Sequence, residues 1–258
     1  MSELLSVPIP NSPDTRHTGN EFKNLWVTQG VIRDWVAHPQ WDSYDVLPVL
    51  YSALHTGRKY TPGSQIAPKL AEVVRNTTAF LPEAPGNLLV DPEHVYLLAS
   101  QYSRTLDEIL RRTPRTTEQT IHDAAFAYYV FDRVHPFPDG NGRMGRGIVK
   151  RVFKGAGMKD PLFHDQKWYG GEHSTHLDAL ELVDESNNLA HLELYLSDAL
   201  LHMYDPIAEK GKHEEIVGVI EKKTEQSKQN GQWRSLTDVW EGFAGLPIYG
   251  NIPPQRSL

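Results

Sequence analysis

Thirteen residues, Val134 to Arg146, V-H-P-F-P-D-G-N-G-R-M-G-R, constrain this chain more than any others. Pro136 and Pro138 break a regular helix and Gly140-Asn141-Gly142 can turn sharply, yet apolar residues recur at helical spacing on both sides. A sharp turn must therefore join two helices. The helix before it, about Thr117 to Val134, carries Ile121, Ala124, Ala125, Tyr128 and Phe131 on one side. Phe126, Tyr129 and Val130 lie elsewhere on it, so it reads as almost wholly buried. The helix after it begins near Gly142, turns Met144, Ile148, Val149, Val152 and Phe153 inward, and stops at Gly155 and Gly157.

The turn holds reactive chemistry. His135 exchanges protons near neutral pH, and Asp139 is suited to a hard divalent cation. Gly140-Asn141-Gly142 can present backbone N–H groups to an anion, and the positive end of the following helix adds to that cradle. Arg143 and Arg146, three apart, project forked donors from one helix face. Together they read as a polyphosphate site with a built-in base. Phe137 reads as a core pin that fixes the loop.

The run resembles the signature of the Fic family, H-[PX]-F-X-[DE]-G-N-G-R-X-X-R, which His135, Phe137, Asp139, Gly140, Asn141, Gly142, Arg143 and Arg146 fill at every specified position. The resemblance implies an all-α helical bundle with a small β-hairpin flap. It also implies a protein adenylyltransferase that moves AMP from ATP, the co-substrate, to a Ser, Thr or Tyr hydroxyl of a target protein and releases pyrophosphate. In that role His135 is the catalytic base and Asp139 holds Mg²⁺ or Mn²⁺. Gly140, Asn141 and Gly142 line the anion hole, and Arg143 and Arg146 grip the β- and γ-phosphates. Two alternatives stay open: a Fic-fold transferase that uses another nucleotide or phosphorylates its target, and a catalytically silent binding protein of the same fold.

The chain divides into residues 1–56, a tail and helical extension; 57–205, the Fic domain, with its flap at about 71–90 and its motif at 135–146; and 206–258, a C-terminal extension. Helices are expected from Glu21 to Ala37 and from Ser43 to His55, with Trp26, Trp35 and Trp41 as core anchors. Prolines and glycines then punctuate residues 57 to 91, which favours an irregular hairpin. Within it, V-V-R-N-T-T-A-F-L resembles the Arg-containing first strand of the family's flap, an edge on which a target protein segment would dock by main-chain pairing. Asp91-Pro92-Glu93 opens a helix that Thr113-Pro114 stops. His122 reads as a hydrogen-bonded packing residue. Leu177-Asp178-Ala179-Leu180 resembles the middle of the family's next helix, and Leu189 to Met203 its last core helix. His176-Leu177 stands where many relatives carry a Tyr-Tyr-like pair, and His173 and His176 have no evident third ligand that would make them a metal site.

A final helix is expected within Glu214 to Lys228, and a short one over Ser235 to Phe243. Thr237-Asp238-Val239-Trp240-Glu241-Gly242 resembles the family's inhibitory motif, [ST]-X-X-X-E-[GN]. That resemblance implies that Thr237, Glu241 and Gly242 form a brake in which Glu241 pairs with Arg146 and excludes the γ-phosphate.

Charge narrows the partners. The net charge is −7 with pI near 5.9, and no basic run stands out, which argues against nucleic acid and anionic membrane. With no cysteine in 258 residues, disulfides and thiolate zinc sites are ruled out. No leader-like N-terminus and no stretch of eighteen apolar residues is present, so the reading is a soluble, cytoplasmic protein. Export as an effector is compatible with this, and so is a homo-oligomer.

Overall fold

A computed structural model describes residues 19–77, 90–112, 115–163 and 176–228, and every regular element in them is helical. The order is α1 (Gly19–Ala37), α2 (Ser43–Thr56), the single turn α3 (Leu70–Val73), α4 (Pro92–Arg111), α5 (Thr117–Val134), α6 (Asn141–Gly155), α7 (His176–Ser186), α8 (Ala190–Leu201) and α9 (Lys210–Ser227). None of these helices is long and apolar enough to cross a membrane.

α5 is the axis of the bundle. Thr116 caps it: the Gln119 N–H donates to the Thr116 hydroxyl at 3.1 Å, and the Gln119 side chain accepts from the Thr116 N–H at 3.2 Å. Beyond the cap, Ile121, Ala124, Ala125, Ala127, Tyr128, Tyr129, Val130 and Phe131 are all buried, because α4, α6, α8 and α9 pack around them. α6 approaches closely because Gly145 faces Tyr128. A Cβ there would stand 2.5 Å from the tyrosine ring. Gly147 similarly admits α1, a Cβ on it meeting Ile32 at 3.2 Å. α1 and α2 thereby enter the same core through Ile32, Trp35, Leu47 and Leu50.

Several expectations change. Trp35 is fully buried, but Trp26 lies on the outer face of α1 with 80% of its surface exposed, because among the described residues α1 packs chiefly on α2 and α6, away from Trp26. The anticipated first strand of the flap begins as helix. The Glu72 side chain accepts from the Lys69 N–H at 3.0 Å and the Val74 N–H reaches the Leu70 carbonyl at 3.1 Å, which closes one turn around buried Leu70. No strand occurs among the described residues, and 78–89, most of the expected hairpin, lie outside them. Leu177-Asp178-Ala179-Leu180 lies within α7, as expected, and the residues just before His176 lie outside the described ones. His122 is hydrogen-bonded, as expected, but to a partner that the sequence did not show. Its Nδ1 sits 2.6 Å from Glu193, which also holds Lys223 at 2.8 Å, so one buried carboxylate links α5, α8 and α9.

Candidate active site

The motif loop starts where α5 ends. His135 is the C-cap of α5, with its N–H on the Phe131 carbonyl at 2.9 Å and a left-handed backbone, φ 46° and ψ 58°. Glycine is the usual occupant of such a position because a Cβ crowds the following carbonyl. A non-glycine residue held there marks strain stored at a working site. Burial, and then the Arg75 guanidinium, push the imidazole well below its ordinary value, to about 4; the Asp139 charge and the Asp132 carbonyl oppose them. Among the described residues buried Nδ1 has no hydrogen bond of ordinary geometry, and the pull of the Asp132 carbonyl is outweighed by burial and Arg75. At neutral pH the ring is uncharged and able to accept a proton.

After His135 the chain is stitched in place. Asn141 is buried and uses its whole amide on the loop, accepting from the Phe137 N–H at 3.0 Å and donating to the Phe137 carbonyl at 2.7 Å. Its side chain is therefore spent on shape, and only its N–H can serve an anion. Phe137 is the expected pin. Fully buried, it stacks on Tyr51 of α2 with centroids 4.6 Å apart.

Gly140 caps α6 from a left-handed φ of 79°, without a side chain to satisfy the first N–H groups of the helix. The first intrahelical bond is Met144 N–H to the Gly140 carbonyl, 2.9 Å. The amides of Asn141, Gly142 and Arg143 precede it, and they and the dipole of a 15-residue helix form an anion cradle. The two glycines differ. A Cβ at Gly140 would stand 2.8 Å from His55 Nε2 and 2.9 Å from Leu54, whereas one at Gly142 would make only an ordinary 3.7 Å contact with Arg146.

Asp139 is 73% exposed by side chain and shares Oδ2 with Arg143 Nη2 at 3.1 Å. One carboxylate at the rim of an anion cradle fits Mg²⁺, which takes few protein ligands and completes its shell with water and phosphate oxygens. Among the described residues no cluster of three or more acids, histidines or cysteines could enclose a metal. His135, Asp139, Gly140, Asn141, Gly142, Arg143 and Arg146 are thus brought together along one loop and the first turns of α6. Thr237, Glu241 and Gly242 lie outside the described residues, as does His173.

Two neighbours were not legible from the sequence. His55 reaches the loop from the last turn of α2, its imidazole lowered by burial while Asp139 opposes the shift. Arg75, 3% exposed, donates Nε to the His135 carbonyl at 2.7 Å from 60 residues away. Neither role has a local pattern; the sequence marked Arg75 only as the arginine in the expected first strand of the flap.

Residues 69–152 match the model of the Fic/DOC family, a span that runs from α3 to within α6 and contains the whole motif loop. The described fold is similar to the crystal structure of a Fic domain containing signaling protein from Bacteroides thetaiotaomicron, at a TM-score of 0.50. The two share 13% identity over 84% of this chain and 77% of that one, so the likeness is one of fold. Among curated proteins, no sequence matches this chain.

Proposed function

We propose, from the premise that this chain belongs to the Fic/DOC family through residues 69–152, that it is a protein adenylyltransferase that transfers AMP from ATP to a hydroxyl of a target protein. The observation that carries the reading is an uncharged imidazole, His135, held one turn of chain before the uncapped N-terminus of α6. Nucleotidyl transfer needs placement and charge compensation more than covalent chemistry from the protein. His135 takes the proton of the attacking Ser, Thr or Tyr hydroxyl, which forms its bond to the α-phosphorus as the bond to the bridging oxygen breaks. Pyrophosphate leaves. The amides at the start of α6, with Arg143 and Arg146, hold the β- and γ-phosphates and receive the charge that develops on them. Asp139 would hold the Mg²⁺ or Mn²⁺, whose charge neutralises the leaving group when bound.

A low-pKa imidazole is a weak base, and the bound triphosphate compensates. Its negative charge raises the imidazole toward neutrality only when nucleotide is in place.

The second part of the reading is a brake: Glu241, within Thr237 to Gly242, pairs with Arg146 and occupies the γ-phosphate position. Glu241→Gly then raises self-labelling from α-labelled ATP many-fold, and equal labelling by both proteins removes the brake from the account. Transfer itself is tested by peptide mass spectrometry after incubation with ATP and cell lysate. An AMP adduct on a Ser, Thr or Tyr of the lysate or of the protein, absent with His135→Ala, is expected. Unmodified peptides throughout, from Glu241→Gly as well as wild type, would overturn it.

A further inference from the structure

Outside the signature, one buried charge has an unusual set of partners. Arg75 Nε donates to the carbonyl of His135 at 2.7 Å, and Nη1 to that of Thr77 at 2.9 Å. Nη2 reaches the carbonyls of Val90 and, at 3.4 Å, Val134. Its backbone N–H donates to the Pro136 carbonyl at 2.8 Å. A planar guanidinium spreads five donors over three nitrogens and so spans carbonyls on several segments, whereas the three donors of a lysine ammonium radiate from one point and cannot span the same set. These bonds lie at the C-terminal, electronegative end of α5, where a cation is favoured.

We infer that Arg75 is a positioning residue for the transfer: it locks the peptide groups that flank His135, so that the imidazole is presented from a backbone conformation the loop could not hold unaided. The inference rests on the reading of His135 as the base. The geometry over-determines that conformation. The His135 N–H is tied to α5, its carbonyl to the Arg75 side chain, and the next carbonyl to the Arg75 backbone. A left-handed non-glycine residue persists only where its surroundings hold it this way. The same guanidinium also joins Thr77 and Val90 to the motif, so the two described ends that flank residues 78–89 and the catalytic loop share one anchor.

Charge adds a second consequence. Arg75 and Arg133 face the imidazole with positive charge and Asp139 with negative charge, so the balance keeps the resting ring unprotonated.

The test compares wild type with Arg75→Met, which keeps the length of the stem and removes charge and donors, and Arg75→Lys, which keeps the charge. Two readouts are taken: kcat and KM for ATP in transfer from α-labelled ATP, and NMR shifts of the His135 backbone and imidazole. Arg75→Met should lose about ten- to a hundredfold in kcat, the scale of a misplaced catalytic group, with KM within about twofold. Its His135 shifts should move while those of α8 and α9 stay. Arg75→Lys should recover part of kcat and keep the resting ring unprotonated. Unmoved His135 shifts in both variants overturn the inference, and so does a kcat that stays at wild type. If Arg75→Met fails to fold, Arg75→Lys carries the same two readouts. A chain that transfers nothing even as Glu241→Gly overturns the proposed function alone, because the His135 shifts in the variants still decide whether Arg75 holds the loop.

Discussion

His135 occupies a backbone region that costs a non-glycine residue about 1–2 kcal/mol, and it does so at the position from which the proposed transfer draws its base. Stability and activity should therefore separate there. His135→Gly relieves the backbone and loses the packing of a half-buried ring, so the unfolding free energy should stay within about 1 kcal/mol of wild type. Transfer should fall by at least about a hundredfold, as expected for loss of a general base. A variant that unfolds instead, with residual activity per folded molecule, would make His135 a structural cap. The pH behaviour follows from the same residue. With a folded value near 4 against 6.5 unfolded, the unfolded chain binds more protons between those limits. The imidazole's contribution to stability is thus present above pH 6.5 and lost as pH falls toward 4. Chemical denaturation of wild type should weaken over that window more than that of His135→Gly. For activity, the acid limb of kcat/KM should lie near 4, and that of kcat higher, since bound triphosphate raises the ring. Gly140 and Gly142 give a paired test. Gly140→Ala meets a left-handed φ of 79° and crowds His55 and Leu54, and should destabilise the fold by more than about 1 kcal/mol. Gly142→Ala, with an ordinary 3.7 Å contact, should leave melting almost unchanged.

At the scale of elements, the reading from sequence succeeded where the signal is local. The bounds of α5 follow from a Thr116 cap and a buried period, and those of α6 from Gly140 and the glycines at its end. It failed at a single capped turn, at a helix face left uncovered, and where a partner arrives from far along the chain. Glu72 and Val73 have strand-like neighbours, but a side-chain bond back to Lys69 turns them helical. Trp26 has the spacing of a core residue on α1, and nothing packs over that face among the described residues. His122 finds Glu193 from 71 positions away. That carboxylate is almost fully buried between His122 and Lys223, so removing it leaves a buried ammonium with only the partly exposed Glu118, 3.3 Å away. Glu193→Ala should cost about 3–5 kcal/mol, and Glu193→Met with Lys223→Met should recover most of the loss. Equal stability of the single and double variants would show that the network contributes little. Gly145→Ala is the packing counterpart, forcing α6 off the Tyr128 ring and lowering the melting temperature, an effect thermal unfolding reads directly.

For the whole molecule, the catalytic loop is legible in the sequence and its supports are not. The signature names every group along the loop, but Tyr51, Leu54 and His55 of α2 form the floor beneath Phe137 and Gly140. Those residues precede the span that matches the family, and only folding brings them there. Arg75 belongs to the same class of contact. The architecture as a whole is a rigid axis, α5, that ends in a strained imidazole beside the open end of α6, and the central claim is that this arrangement moves AMP. Parallel incubations with ATP labelled at the α- or the γ-phosphate, using the Glu241→Gly chain, cell lysate and Mg²⁺, test it most directly. The proposed transfer puts label on protein from the α position only, and loses it with His135→Ala and with EDTA. Label from the γ position, or from neither, would contradict it.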